Sequence, residues 1–131
     1  VNARNFGEGA GERNVLGEPL EPCSTSPLTG FFRSGYCAAG PDGVARHLVC
    51  IEASEAFLAY SKGAGNDLST PRPEWGFPGL KAGDRWCLLA ERWAQALEAG
   101  QAPRVFMHST NEAVLDGLSL ADLKAHARDL N

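Results

Sequence analysis

The sequence predicts a small α+β domain, and three observations carry that reading. The chain has 131 residues, the size of one domain with one core. Apolar residues recur with strand alternation in some segments and with helical spacing in others, in mixed order along the chain. Between them lies a long stretch rich in glycine and proline that neither element can occupy. The expected architecture is a small mixed sheet of short strands packed against two to four helices, with a long ordered Gly/Pro-rich loop.

Residues 1–13 carry Gly7, Gly9 and Gly11 among charges and offer almost nothing to bury, so they read as a flexible N-terminal arm ahead of a single globular domain over residues 14–131. The GEGAGE string there lacks a preceding strand and a lysine at Walker spacing, so it is no phosphate loop. Residues 14–51 contain short apolar pieces broken by Pro19, Pro22, Pro27, Gly30, Gly35 and the turn Pro41-Asp42-Gly43. The best strand pattern runs from Val44 to Ile51. It puts His47, Val49 and Ile51 on one face and Leu48 with Cys50 on the other. A helix follows, with Ser54 as N-cap, Phe57, Leu58 and Tyr60 as its apolar stripe, and Gly63 as its stop.

Gly63 to Gly83 holds five glycines and three prolines. Loops longer than about 12–15 residues are usually disordered or functional. Leu68, Trp75, Phe77 and Leu80 can offset the ordering entropy if buried, which favours an ordered loop packed by its own side chains. Asp84 to Leu89 reads as a strand, residues 90–99 as a helix stopped by Gly100 and Pro103, and Arg104 to His108 as a further strand. Thr110 can cap a short helix. Ser119 and Asp122 form a capping-box pattern that opens a last amphipathic helix through Leu120, Leu123 and Ala127.

The strings NVLGEPLEPCSTSPLTGFFRSG, GNDLSTPRPEWGFPGLKAGDRWC and ERWAQALEAG resemble the bacterial family called domain of unknown function 2237, over nearly everything from Asn14 to about Ala127. The resemblance implies no activity and no catalytic residues. The family pattern often has a cysteine where Tyr36 stands and another where Leu89 stands, so chemistry that needs all those thiols is not available to this chain.

Composition narrows the function classes. A net charge of −4 and a pI near 5.3 supply no basic field for counterion release from phosphates, so no nucleic-acid partner is expected. No run approaches the roughly 20 apolar residues of a membrane span, and no membrane partner is expected either. The polar, glycine-rich start does not resemble a signal peptide, which points to the cytoplasm. Cys23, Cys37, Cys50 and Cys87 are too sparse for a small disulfide scaffold, so reduced thiols are expected.

With His47 these cysteines are candidate metal ligands, yet the C-x13-C-x12-C-x36-C spacing lacks close pairs, and the expectation is no metal and small buried hydrophobes instead. Cys87, near Asp84 and Arg85, is a candidate nucleophile, although the two charges push a thiol pKa in opposite directions. No cofactor motif is evident. The ligand-binding candidates are Asn66, Asp67, Arg72, Trp75 and Trp86, around a pocket walled by residues 63–87. The bland alternatives are an Asx-turn for Asn66 and Asp67, a solvated surface for Arg72, and core filling for the tryptophans. Two functions follow from that loop: a small-molecule-binding protein or enzyme, or a noncatalytic module that offers the loop to a protein partner. A Cys/His metal-binding domain is the third.

Overall fold

The computed structural model describes Gly9 and residues 11–130. The regular elements run β1 (His47–Glu52), α1 (Glu55–Gly63), β2 (Arg85–Leu89), α2 (Ala90–Glu98), β3 (Arg104–Val105) and α3 (Leu120–Ala125), with 3-10 turns at Pro73–Trp75, Met107–Ser109 and Glu112–Asp116. The fold is α+β. The sheet has the order β2-β1-β3, both pairs antiparallel, and Val105 also bridges in parallel to Ala127.

Local chemistry accounts for the element ends. Ser54 Oγ accepts the Phe57 N–H at 3.0 Å and opens α1. Ser119 Oγ accepts from Asp122 N at the same distance and opens α3. The expected strand from Arg104 to His108 is cut to two residues because Met107 begins a 3-10 turn whose N–H groups at Met107 and His108 are taken by Asp129. The cap of the next turn is Asn111 rather than Thr110. Asn111 Oδ1 accepts from Ala113 N, whereas the Thr110 hydroxyl is turned inward onto Phe106 O and Cys50 N.

The two faces of the sheet serve two buried clusters. Val49 and Ile51 of β1, with Trp86 and Leu88 of β2, pack with Phe57, Leu58, Trp93, Ala96 and Leu123. Burial of each such side chain contributes about 1.5–3 kcal/mol. The opposite face presents Cys50 and Cys87, which join Cys23, Cys37 and Phe106. Register shifts between His47 and Val49, which breaks the strict alternation expected there: Leu48 joins the same cluster as Val49 and Ile51.

The reduced-thiol expectation is corrected at this second cluster. Cys23 is bonded to Cys50 and Cys37 to Cys87, leaving no free cysteine. Wide sequence spacing did not reveal this, because β1 and β2 place Cys50 opposite Cys87 and the coil of residues 14–46 folds Cys23 and Cys37 back onto them.

Of the arm, residues 1–8 and 10 lie outside the described residues. Glu12, which the sequence reading assigns to that arm, accepts from Ala39 N, Gly40 N and Asn111 Nδ2. Its contacts tie residue 12 to the domain.

Candidate functional site

The Gly/Pro-rich loop is fixed at both ends by short backbone bonds. Leu80 N donates to Leu68 O at 2.8 Å, and Arg72 N donates to Phe77 O at 2.8 Å, closing a small hairpin around the turn Pro73–Trp75. Gly76, at φ 66°, supplies the left-handed residue that ends this turn. Leu68 and Leu80 are buried and Phe77 is half-buried against Trp86, ring centroids 5.2 Å apart. Trp75 departs from expectation. It is 72% exposed, because the turn carries it to the tip of the hairpin, where the Arg72 guanidinium lies 5.7 Å from its ring centre.

Asn66, Asp67, Arg72, Trp75 and Trp86 all line one open cleft of about 330 Å³, together with Phe77, Leu68 and Arg33. That volume lies in the range of small-ligand sites. A narrower recess of about 130 Å³ shares Arg33, Asn66, Leu68 and Trp86 with it and reaches His47 and Cys87.

Asp67 is an Asx-turn, as the bland reading held. Its carboxylate accepts from the Thr70 hydroxyl at 2.6 Å and from the Ser69 and Thr70 N–H groups, and these bonds, the hydroxyl foremost, hold its pKa below the usual carboxylate value. It therefore stays ionised with its oxygens engaged by the loop. Arg33 and Arg72 have no ion-pair partner among the described residues. The cleft thus offers two cations that no carboxylate among the described residues neutralises, beside three aromatic rings.

Arg33 was not among the sequence candidates. It has φ 55°, the one non-glycine residue in the left-handed region among those described, and its guanidinium sits 5.4 Å from the Trp86 ring centre while donating to Gly30 O. Such backbone strain often marks a functional position. Gly30 is obligatory next to it: φ is 97°, and a Cβ there would collide with the Tyr36 carbonyl. The only signal in the sequence is an arginine between two phenylalanines and a glycine in FFRSG, which does not distinguish a site from a turn.

At the end of the recess, His47 stacks on Phe31 with ring centroids 6.1 Å apart, and its Nδ1 is buried without a hydrogen-bond partner among the described residues. Burial first, and the Arg33 charge second, lower its pKa, so the ring is neutral at pH 7.

The other candidates do not converge here. Asp84 accepts from Lys81 N and shapes the turn before β2. Arg85 lies 3.9 Å over the Phe106 ring and lines a separate cleft of about 470 Å³ with Glu52, His108, Arg128 and Asp129. Cys87 is buried in its disulfide and presents no thiolate in this state. Of the proposed metal ligands, Cys23, Cys37 and Cys87 have sulfur atoms within 4.8 Å of one another, with Cys50 bonded to Cys23. His47 is not in that group.

Residues 13–127 match the family described as an uncharacterized protein conserved in bacteria, DUF2237. The chain belongs to this family. No curated protein matches it. The DUF2237 description names no activity. No helix among the described residues is long and apolar enough to cross a membrane.

Proposed function

We propose that this DUF2237 protein binds a small anionic molecule with a flat, unsaturated part in the 330 Å³ cleft. The observation that carries the reading is the pairing of Arg33 with Trp86 and of Arg72 with Trp75 in the lining of one cleft, with Asp67 committed to the loop. Arginine over an aromatic face presents N–H donors to a carboxylate or phosphate while the ring stacks on a planar group. Asn66 adds an amide that can donate or accept. The reading is one of binding and assigns no reaction.

Benzoate and phenyl phosphate, with benzamide as the neutral control, test it by tryptophan fluorescence and calorimetry. The acids should bind and benzamide should not. Arg33→Ala and Arg72→Ala should each weaken the acids about 10- to 100-fold, the range of a charge-assisted hydrogen bond of about 1.5–3 kcal/mol. Equal binding of benzamide, or indifference to both substitutions, sinks the proposal.

A second reading, a docking module without nucleic-acid or membrane partners, rests on the exposure of Trp75. It predicts partner capture that depends on Trp75 and not on Arg33.

The cytoplasmic expectation came from the polar, glycine-rich start, and the two buried disulfides weigh against it. Paired cysteines favour an oxidising compartment.

A further inference from the structure

Two disulfides can brace a chain without touching one another, because each acts by closing its own loop. Here they are packed into one cluster. Residues 23, 37, 50 and 87 come from four separate segments, and Cys23, Cys37 and Cys87 bring their sulfurs within 4.8 Å of each other, with the fourth sulfur bonded to the first. A tetrahedral zinc–thiolate site has Zn–S bonds of about 2.3 Å, which sets its sulfurs about 3.8 Å apart. Opening both S–S bonds lets the bonded sulfurs spread toward that separation; the Cys23 sulfur already lies within 4.8 Å of those of Cys37 and Cys87, and Cys50, outside that group of three, has to swing in from its place beside Cys23.

The sheet holds half of this arrangement without the disulfides. Cys50 and Cys87 are direct cross-strand partners in β1 and β2, yet neither disulfide joins them. Their backbone N–H groups are fixed by Thr110 Oγ1 at 3.1 Å and Thr29 Oγ1 at 2.9 Å. Cys23 N donates to Gly35 O at 2.7 Å, and Cys37 O accepts from Asn111 Nδ2, which anchors the other two. Phe106 belongs to the same buried cluster, and the Arg85 guanidinium lies over its ring, 3.9 Å from the centre.

We propose that the reduced protein uses Cys23, Cys37, Cys50 and Cys87 as a tetrathiolate site for a soft divalent cation, zinc foremost, so that the cluster exchanges two disulfides for one metal. In the first step each disulfide takes two electrons and two protons from a dithiol, which leaves as its own cyclic disulfide. In the second, four thiols release four protons as the divalent ion binds, giving a site of net charge −2. An oxidising compartment holds the disulfide form and a reducing one the metal form. The site is independent of the ligand cleft and survives the failure of that reading.

The full chain, reduced with dithiothreitol and desalted under nitrogen, should take up one zinc per chain by elemental analysis, and the oxidised chain none. Cobalt should give intense tetrahedral bands with thiolate charge transfer, lost in Cys50→Ser and in Cys87→Ser. Should reduction alone unfold the chain, zinc should restore its circular dichroism. Reduced chain that stays folded and metal-free overturns the proposal. So does metal held equally by the oxidised form, a cobalt spectrum unchanged in both variants, or a reduced chain that zinc does not refold.

Discussion

The coil of residues 14–46 and the sheet-and-helix part that follows are both well packed, but different forces order them. In the second part the chain is organised by its own periodicity: α1 and α2 lay Phe57, Leu58, Trp93 and Ala96 against β1 and β2. The coil has no helix or strand among its described residues. It is pinned from outside, by Cys23 to Cys50, by Cys37 to Cys87, and by bonds such as Glu21 N to His108 O and Ser109 Oγ to Pro22 O. One part is ordered by local pattern, the other by distant partners.

The largest break of this comparison is removal of the Cys37–Cys87 bridge. Its sequence separation of 50 gives a loop-closure contribution of about 4 kcal/mol in the chain-entropy picture. Cys37→Ala with Cys87→Ala should lower stability by about that amount in denaturant titrations of the oxidised protein. Hydrogen exchange should rise first in residues 20–46 and later in β1 and α2. Equal loss of protection in both parts would falsify the division.

The same division explains what the sequence disclosed. Ser54, Gly63, Ser119 and the alternation of Trp86 with Cys87 are local signals, and the helices and β2 could be read from them to within a residue or two. The cleft was legible for a related reason. Asn66, Asp67, Arg72 and Trp75 sit within one unusual loop, so their common neighbourhood needed only that the loop be ordered. Trp75 was misjudged, because nothing local says which aromatic residue of a loop turns outward. Arg33 and the disulfides were not legible. Their geometry depends on residues 14–46 lying against β1 and β2, a contact across about 50 residues that leaves no periodic trace. Glu12 shows the same limit: its apolar-poor surroundings read as an arm, yet its carboxylate serves three donors from residues 39, 40 and 111.

A smaller effect sharpens the contrast through two polar residues. Asn14 is fully buried, its amide donating to His108 O and Pro19 O and its oxygen accepting from Leu16 N and Glu18 N. Asn14→Ala strands those groups and should cost about 1–3 kcal/mol or more, as several partners lose their bonds together. Ser54→Ala removes a single cap bond, from Phe57 N, and should cost about 1 kcal/mol. Chemical denaturation of both variants compares them, and a larger loss for Ser54→Ala would contradict the assignment of coil order to distant partners.

The smallest effect concerns pH and the C-terminal clamp. His108 Nδ1 lies 2.7 Å from Asp129 Oδ2, while Asp129 also accepts from Met107 N and His108 N. The bond to Asp129 is the main reason the His108 pKa is raised, with Glu21 and Glu18 adding to it against the cost of burial. Burial pushes Asp129 upward, but the His108 ring and the two backbone donors outweigh it and leave its pKa lowered. The signs follow from linkage. A histidine raised on folding contributes fully below its unfolded value of about 6.5 and loses that contribution as pH rises through the folded value. A carboxylate lowered on folding contributes fully above its unfolded value of about 3.9 and loses it as pH falls through the folded value. The pair is therefore strongest between about pH 4 and 6.5. Both shifts report one interaction and are counted once. With side chains 31% and 23% exposed, solvent screening limits it to about 1 kcal/mol. His108→Gln leaves the backbone bonds to Asp129 in place, so it should be less stable than the parent by about that much near pH 5.5, and the gap should narrow toward pH 9 as the parent histidine loses its proton. Urea titrations at the two pH values measure it. A gap that stays constant, or widens with pH, would mean that His108 holds the C-terminal segment by packing and not by charge.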